Sequence, residues 1–439
     1  MSKILISSIG TGSYDREAKT TNYRPANYYL GDENNVVTSA YVYDALAKLR
    51  GFDKLILVGT CGSQWHVLYE HLFEPDSSIS PVLAKDEEYT YRLLELFERP
   101  DKKSYDINEM RTELNLLKDT MGKACAEIFV LNYGINDDEL LFNFELMTKM
   151  ADHIAEGDII SFDITHSFRS LAFFELLSVS YIKDTLKKNV VLDFVSYGMY
   201  DFANENANLS PLVDLSRLIR MMDWLKAAEE YKRYGTTALF SDLLANDTLG
   251  VSLSKEEQKV LRRLGGDAIS TNDIPEFKNL IKNCVNATKT VSDIRSKNIV
   301  LDFIFSDMAA RFGNKLDDDM LLQVELAKWH FEKKRYIAAA ITLIEATLSY
   351  CALLAGMEKE AIRSRILNIH SANSDVGNFR ERYDTLRQIR NKLSHAQPLA
   401  SSEIAKLEQY IKAFYTTYKK RFKDIPENES DLRTALRKR

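Results

Sequence analysis

Residues 158–170 read Asp-Ile-Ile-Ser-Phe-Asp-Ile-Thr-His-Ser-Phe-Arg-Ser, and this stretch decides the fold of the first half of the chain. The apolar run at 158–164 has the length and composition of a buried β-strand. A polar turn follows it, and a helical pattern then covers 168–187. A buried strand, a polar turn and a helix in this order are typical of one unit of a parallel α/β sheet.

Four other apolar runs repeat this unit. The pattern predicts buried strands at 3–9, 54–58, 127–132 and 190–197 and helices at 36–49 and 138–154. We therefore predict a Rossmann-like α/β domain, with a parallel sheet covered by helices on both faces. Ligands of such sheets bind at the carboxyl ends of the strands.

Small and polar residues follow the predicted strands at that edge. Glycine lets a ligand approach the backbone closely, and the N-termini of the following helices offer free N–H groups to phosphates. We predict a nucleotide-like anionic ligand, contacted by phosphate-binding side chains and by the stacking face of Trp65. The candidate ligand residues are Gly10, Thr11, Gly12, Ser13, Thr60, Ser63, Trp65, Gly134, Thr165, His166, Ser167, Phe168 and Arg169.

Two alternatives apply to these turns. Ordinary strand–helix turns also favour glycine, serine and threonine without binding anything. A NAD-dependent enzyme would share the fold, but the first turn lacks the G-x-G-x-x-G spacing of a dinucleotide site, so no such cofactor is expected.

The second half of the chain is predicted to be helical. An amphipathic helix is expected at 212–234, and almost everything from 320 onward has helical spacing. We predict a sensing domain at 1–211, a mostly helical connector at 212–320 and an all-α domain at 321–439.

Close to the chain end, Arg390-Asn391-Lys392-Leu393-Ser394-His395 has the spacing of a metal-independent RNA-cutting site. Histidine moves protons near neutral pH, and the planar guanidinium of arginine matches a phosphate. RNA supplies its own nucleophile, the 2′-hydroxyl. Pro398 is expected to end the helix just after His395. A solvated helix end is the structural alternative, since Arg390 and His395 lie about 140° apart around a regular helix.

Composition limits the function classes. The chain has 439 residues, of which 45% are hydrophobic and 28% charged, and a formal net charge of −6. It is long enough for two or three domains. Proteins that coat nucleic acid over a broad surface are usually basic, so contact with RNA is expected to be local or transient. The basic end at 433–439 is either a local attraction for RNA or a solvated tail.

No metal site, leader or membrane span is expected. The cysteines are scattered without a CxxC pair, and His66 and His71 have no cysteine at finger spacing, which argues against zinc. The apolar run at the N-terminus is too short for a signal peptide. The apolar stretch at 336–357 carries Glu345 at its middle, which favours a buried core helix over a membrane span. We expect a cytoplasmic protein.

Taken together, the motifs resemble the CRISPR-associated ribonucleases of type III systems that join a CARF sensor domain to a HEPN nuclease domain. The most specific match is Asp163-Ile164-Thr165-His166-Ser167-Phe168-Arg169-Ser170, which resembles the family signature D-[IL]-T-H-[GS]-[FL]-R-S. The segments 10–12, 59–65 and 211–224 resemble family stretches in and after the CARF domain. Arg390-Asn391 to His395 fits the HEPN motif R-x(4–6)-H, whereas 235–320 matches no motif.

The resemblance implies a cyclic oligoadenylate as activator, bound across a homodimer, with tetra-adenylate favoured over hexa-adenylate. It implies that paired HEPN domains cut single-stranded RNA with Arg390, Asn391 and His395, without cofactor or metal and without stable association with the CRISPR complex. One alternative is a ligand-sensing regulator without nuclease activity. Another adds slow degradation of the ligand within the CARF domain, where Thr11, Ser13 and Thr165 could position a 2′-hydroxyl.

Overall fold

The computed structural model describes residues 1–15, 20–98, 107–167, 169–184, 189–203, 209–245, 269, 273–290, 299–369, 374–421 and 428–437. The chain divides into two compact units, 1–219 and 220–439. The first unit carries the sheet, and the second is helical throughout its described residues.

The first unit is built on an eight-stranded sheet with the order β5-β4-β10-β9-β8-β1-β6-β7. A separate two-stranded ribbon, β2-β3, pairs Ser13 with Asn22. The strands are β1 Lys3–Ile9, β2 Ser13–Asp15, β3 Thr20–Asn22, β4 Ala26–Tyr29, β5 Val36–Ser39, β6 Lys54–Thr60, β7 Cys125–Leu131, β8 Ile159–Asp163, β9 Val191–Gly198 and β10 Leu209–Asp214.

The five strands predicted from the sequence form the contiguous parallel part of this sheet, β9-β8-β1-β6-β7. The prediction of a purely parallel sheet was nevertheless wrong, because β10 pairs antiparallel with β9 and β5 pairs antiparallel with β4. Two predicted helices were also too long at their starts. Residues 36–39 form β5, and residues 212–214 belong to β10, so the predicted boundary at 211/212 falls inside a strand.

The helices of the first unit are α1 Val42–Leu49, α2 Trp65–His71, α3 Glu87–Glu98, α4 Ile107–Met121, α5 Asp137–Thr148, α6 Arg169–Asp184 and α7 Tyr200–Ala203. Alternation along β1 serves both faces of the sheet: Leu5 and Ile9 join one core cluster, whereas Ile4 and Ile6 join the other. Both faces of the central strands are therefore buried, as expected for a parallel sheet covered by helices.

The second unit begins within α8 Ser216–Tyr234, which crosses the unit boundary. Its other helices are α9 Ala238–Ala245, α10 Ile274–Thr290, α11 Ile299–Phe312, α12 Asp319–Glu332, α13 Tyr336–Ala355, α14 Lys359–Leu367, α15 Ser374–Ser394, α16 Ser401–Arg421 and α17 Asn428–Arg437. α12 contributes to two cores: Leu322 and Leu326 pack with α8–α11, whereas Val324 and Ala327 pack with α13–α17.

Among the described residues, α13 is the one helix long and apolar enough to cross a membrane by length and composition. Within the second unit it packs against α12 and against α14 to α17. Leu343, Ala346 and Cys351 are completely buried there, and Glu345 forms an ion pair of 3.4 Å with Arg363 of α14. These contacts are those of the central helix of a helical core.

Candidate functional site

The turns after β1 and β8 meet at the carboxyl edge of the sheet. A Cβ atom on Gly10 would lie only 2.4 Å from the carbonyl oxygen of His166, so glycine permits the two backbones to touch. Gly12 adopts a φ of +67°, the left-handed region that favours glycine. The Tyr23 hydroxyl donates to the Gly10 carbonyl at 2.8 Å and accepts from the Gly10 N–H at 2.7 Å, which fixes the first turn.

A cavity of about 300 Å³ opens where these turns meet. It is lined by six of the predicted ligand residues, from the turns after β1 and β8. The other lining residues come from β4 and the residues just before it, from the end of β9 and from α7. The lining residues are Gly10, Thr11, Gly12, Tyr23, Arg24, Tyr28, Thr165, His166, Ser167, Tyr197, Gly198 and Tyr200. Its size is at the lower end for a small-molecule site.

Asp163, completely buried at the end of β8, organises the second turn. Its Oδ1 atom accepts from the Thr165 hydroxyl at 2.6 Å and from the Thr165 N–H at 3.2 Å, and its Oδ2 atom accepts from the Ser7 hydroxyl at 2.7 Å. The Thr165 hydroxyl oxygen in turn accepts from the Gly198 N–H at 2.8 Å. This network connects β1, β8 and β9 and holds Thr165 against the cavity wall.

His166 is held without a charged partner. Its ring packs edge-on against Tyr23 at 4.9 Å, and its Nε2 atom is buried with no hydrogen-bond partner among the described residues. Burial lowers the pKa of His166, and the nearby Asp163 only partly opposes this. The imidazole is therefore neutral at physiological pH, so it offers a hydrogen bond and not a positive charge to a phosphate.

Three further predicted ligand residues, Thr60, Ser63 and Gly134, do not line the cavity. The Ser63 hydroxyl donates to the Ile9 carbonyl at 2.5 Å, and the Gln64 N–H donates to the Gly10 carbonyl at 3.1 Å, so the turn after β6 supports the turn after β1. Thr60 belongs to that supporting turn. Gly134, after β7, adopts a φ of +76°, and its N–H donates to Glu139.

The stacking role expected of Trp65 is corrected by the structure. Trp65 is 1% exposed, and its indole N–H donates to the Thr60 carbonyl at 3.0 Å. A Cβ atom on Gly59 would collide with its ring, so the indole fills the space beneath the turn. The sequence alone could not distinguish this buried anchor from an exposed ring, because tryptophan is common in both settings.

Three predicted residues cannot be assessed. Phe168 lies outside the described residues. Arg169 begins α6 and Ser13 begins β2, but their side chains are outside the described part of the chain.

Sequence reasoning missed the aromatic and basic half of the cavity wall. Tyr197 and Tyr200 are 41% and 37% exposed at the cavity and offer faces for base stacking. Arg24 is exposed and supplies a guanidinium. The signal that could have found them was present, since Tyr197 and Tyr200 flank the end of the predicted fifth strand. Tyr28 and Arg24 come from a segment whose strand was not predicted.

In the second unit, the predicted nuclease residues lie at the end of α15. Arg390 is half-buried, whereas Asn391 and His395 are exposed, and no described residue pairs with the guanidinium or the imidazole. Helix α15 ends at Ser394, and Ala396 takes a φ of +53° while the Gln397 N–H donates back to the Lys392 carbonyl. This is a Schellman arrangement, which leaves His395 on an accessible turn before Pro398.

The neighbouring lysine is already engaged. Lys392 pairs with Glu403 of α16 at 2.6 Å, and Glu403 also accepts from the Ala400 N–H. The Ser394 hydroxyl donates to the Arg390 carbonyl at 2.8 Å, a bond that does not involve the Arg390 side chain. Arg390 is therefore the unpaired cation nearest His395 in sequence within the described part of α15.

Metal ligands are not grouped within the described ranges, where no cluster of three or more His, Cys, Asp or Glu side chains could hold an ion. Cys61, Cys125, Cys284 and Cys351 are free and buried. Burial raises the pKa of Cys61 to about 11 and of Cys125 to about 12, so these thiols stay protonated.

Fold and site together define an α/β unit with a nucleotide-sized cavity at the carboxyl ends of its strands, followed by a helical unit. Residues 4–199 match the family described as the CARF domain of the CRISPR system endoribonuclease Csx1. The chain is also 28% identical to the CRISPR-associated protein MJ1674 of Methanocaldococcus jannaschii over 418 residues, which cover 90% of this chain.

The chain spans 62% of the length of that relative. Both comparisons show similarity to CRISPR-associated proteins, and the family match lies within the first unit. The matched range 4–199 includes every residue that lines the cavity except Tyr200.

Proposed function

We propose that this protein is a cyclic oligoadenylate-activated, metal-independent endoribonuclease that cuts single-stranded RNA in type III CRISPR antiviral defence. The observation that carries the proposal is the cavity between the turns after β1 and β8, within a unit that matches a CARF domain. CARF domains take cyclic oligoadenylate-type ligands, which indicates a nucleotide partner for this cavity.

The wall of the cavity suits such a ligand. The backbone N–H groups of Thr11 and Gly12 and the Thr11 hydroxyl can donate to phosphates and ribose. Tyr197 and Tyr200 offer stacking faces for adenine, and base–aromatic stacking contributes about 1–3 kcal/mol for each base. Arg24 supplies a positive charge next to these rings. Tetra-adenylate is our favoured ring, ahead of hexa-adenylate.

The size of this cavity supports the proposal of a homodimer. About 300 Å³ accommodates a fraction of a cyclic oligonucleotide, so two copies of the chain would share one ring. A dimer would also bring together two copies of the sparse Arg390 and His395 motif. Sedimentation at micromolar protein, with and without cyclic tetra-adenylate, should give the dimer mass; a monomer under both conditions would contradict this arrangement.

Cleavage would use the 2′-hydroxyl of the RNA as nucleophile. His395 would serve as general base or acid, Arg390 would stabilise the added negative charge on phosphorus, and Asn391 would support them. The products would carry a 2′,3′-cyclic phosphate and a 5′-hydroxyl, because a neighbouring hydroxyl and not water attacks. Neither a cofactor nor a metal is part of this chemistry.

Activation would be allosteric, because the ligand residues lie in the first unit and the nuclease motif in the second. The ligand must then bind one conformation of the protein more tightly than another. We further propose that the protein acts in the cytoplasm, without a membrane partner and without stable association with the CRISPR complex.

A ligand panel and a cleavage assay test the proposal. Cyclic tri-, tetra- and hexa-adenylate are compared by thermal shift, where saturation at 100 times Kd stabilises by about 2.7 kcal/mol. His166→Ala should weaken binding by about 1–3 kcal/mol, whereas the matched control His153→Ala, which does not line the cavity, should bind like wild type. Wild-type affinity in His166→Ala for every ring would mean that the site is misplaced.

The same proteins are then given single-stranded RNA in the presence of chelator. Cleavage is expected only with the activating ring, and the end groups should be a cyclic phosphate and a 5′-hydroxyl. Equal rates at zero and saturating ligand would contradict activation, and a requirement for a divalent ion would contradict the chemistry.

Two alternative functions are separated by this assay. A regulator without nuclease activity would bind the ring and leave RNA intact in this assay. Slow degradation of the ring in the cavity would release linear adenylates, and Thr11 and Thr165 are the hydroxyl groups there that could position a ribose 2′-hydroxyl.

A further inference from the structure

A buried carboxyl group lies behind the turn that carries His166. Glu175, on α6, is 1% exposed and contacts two serine hydroxyls. Ser8 of β1 donates a short hydrogen bond to its Oε1 atom. The Ser167 hydroxyl, on the cavity-lining turn, lies 3.3 and 3.2 Å from the two carboxyl oxygens and 2.7 Å from the Ser8 hydroxyl.

These three groups form a closed triangle of contacts: Ser8 with Glu175, Ser167 with Glu175, and Ser8 with Ser167. Each hydrogen bond needs one proton, and the two hydroxyls carry one proton each. An ionised carboxylate only accepts hydrogen bonds, so the three contacts would have two protons between them and one contact would lack a donor. A protonated carboxyl supplies the third proton, and every contact then has its donor.

We propose that Glu175 is a positioning residue that holds Ser167, and with it the ligand-contacting turn, as an uncharged carboxylic acid. The part of this inference that concerns ligand affinity rests on the proposed function. The part that concerns the turn itself does not.

The surroundings favour the neutral form. Among the described residues, the ionisable group whose charge acts on Glu175 is Asp163 of β8, across the sheet, while β1 and the turn contribute the hydroxyls of Ser8 and Ser167. α5 meets α6 through the aromatic rings of Phe144 and Tyr181. Burial, together with the charge of Asp163, raises the pKa of Glu175 to about 8, although hydrogen bonds from the serines oppose this.

The two carboxyl groups hold the turn from opposite faces of the sheet. Asp163 bonds Ser7 and Thr165 on one face, and Glu175 bonds Ser8 and Ser167 on the other. Loss of the proton from Glu175 to solvent would remove one hydrogen bond of the triangle. It would also add a second negative charge beneath a cavity proposed to take an anionic ring, so affinity should fall as pH rises through about 8.

The binding test compares wild type with Glu175→Gln, whose amide is always neutral and offers both a donor and an acceptor. The control is Glu145→Gln, an exposed carboxylate on α5. Affinity for cyclic tetra-adenylate is measured from pH 6.5 to 9.5. Wild type and the control should lose up to about tenfold in affinity per pH unit above 8, and Glu175→Gln should not. Parallel pH profiles for all three proteins would overturn the proposal.

A ligand-free measurement separates this proposal from the proposed function. The Ser167 N–H donates to the Ile164 carbonyl, so its hydrogen-exchange protection reports on the turn. After correction for the intrinsic pH effect, wild type should lose protection there above pH 8, and Glu175→Gln should keep it. Equal protection in both proteins would refute the positioning role, even if the ring binds. Failure of every ring to bind, with the expected exchange pattern, would refute only the proposed function.

Discussion

Replacement of Gly10 by alanine is the sharpest test of how the turns after β1 and β8 are assembled. The new methyl group would lie 2.4 Å from the carbonyl oxygen of His166, and real Cβ contacts stay above 3.0 Å. The obstacle is backbone, so no side-chain rotation can relieve it. The turn after β8 is itself fixed through Thr165 to Asp163 and Gly198, so it cannot withdraw without breaking hydrogen bonds.

Forcing a methyl group into a packed contact of this kind costs about 1–3 kcal/mol. In a unit of roughly 220 residues each kcal/mol shifts the melting midpoint by about 2–4 °C, so Gly10→Ala should melt about 2–12 °C lower. If the ring requires both turns in contact, the same energy is lost from binding, which corresponds to an affinity about 5- to 150-fold weaker.

The assay is thermal unfolding of the full chain, followed by titration with cyclic tetra-adenylate. Gly377→Ala is the matched control, because a Cβ atom there meets nothing within 4 Å and the residue lies inside α15. It should gain about 0.5–1 kcal/mol from helix propensity and bind normally. A Gly10→Ala protein with wild-type stability would refute the close approach of the two turns.

Three further outcomes are expected. His395→Ala should lower RNA cleavage by about two orders of magnitude or more while folding and ligand binding persist, and Gln388→Ala, exposed on the same helix, should cleave normally; full activity of a folded His395→Ala protein would contradict the mechanism. Tyr197→Ala should weaken cyclic tetra-adenylate binding by about 1–3 kcal/mol, unlike Tyr91→Ala, whose ring is 68% exposed outside the cavity; equal affinities would remove the stacking role. Burial lowers the pKa of His330 to about 3, so the folded helical unit holds this imidazole neutral, and stability is lost as pH falls from 6.5 towards 3. His330→Leu should reduce this loss of stability in acid unfolding curves. An unchanged pH dependence would mean that other groups cause the loss.

The parallel strands were predictable because they are buried on both faces. Such strands are continuous apolar runs, and the runs at 3–9 and 158–164 correspond to β1 and β8. The added strands were not predictable in the same way. Val36–Ser39 has only four residues, of which only Ser39 is buried, and its place depends on antiparallel pairing with β4.

The candidate site likewise contains residues that the local sequence predicted and residues that only tertiary contacts bring to the cavity. Gly10, Thr165 and His166 line the cavity at the edge that the sequence predicted, because turns after parallel strands converge at one edge whatever the details of the loops. Trp65 was misassigned, because only packing decides whether an aromatic ring faces the core or a ligand. Tyr28 and Arg24 were missed, because β4 reaches the cavity by pairing with β10, 182 residues later in the chain.

By itself, the sequence determined the parallel core of the sheet, the helical second half, the turns that meet at the ligand edge and the accessible end of α15 with Arg390 and His395. These features follow from local periodicity and turn chemistry. Only the tertiary structure decided the antiparallel additions, the aromatic wall of the cavity and the burial of Glu175. Each of these depends on which distant groups are brought together and on how completely water is excluded from them.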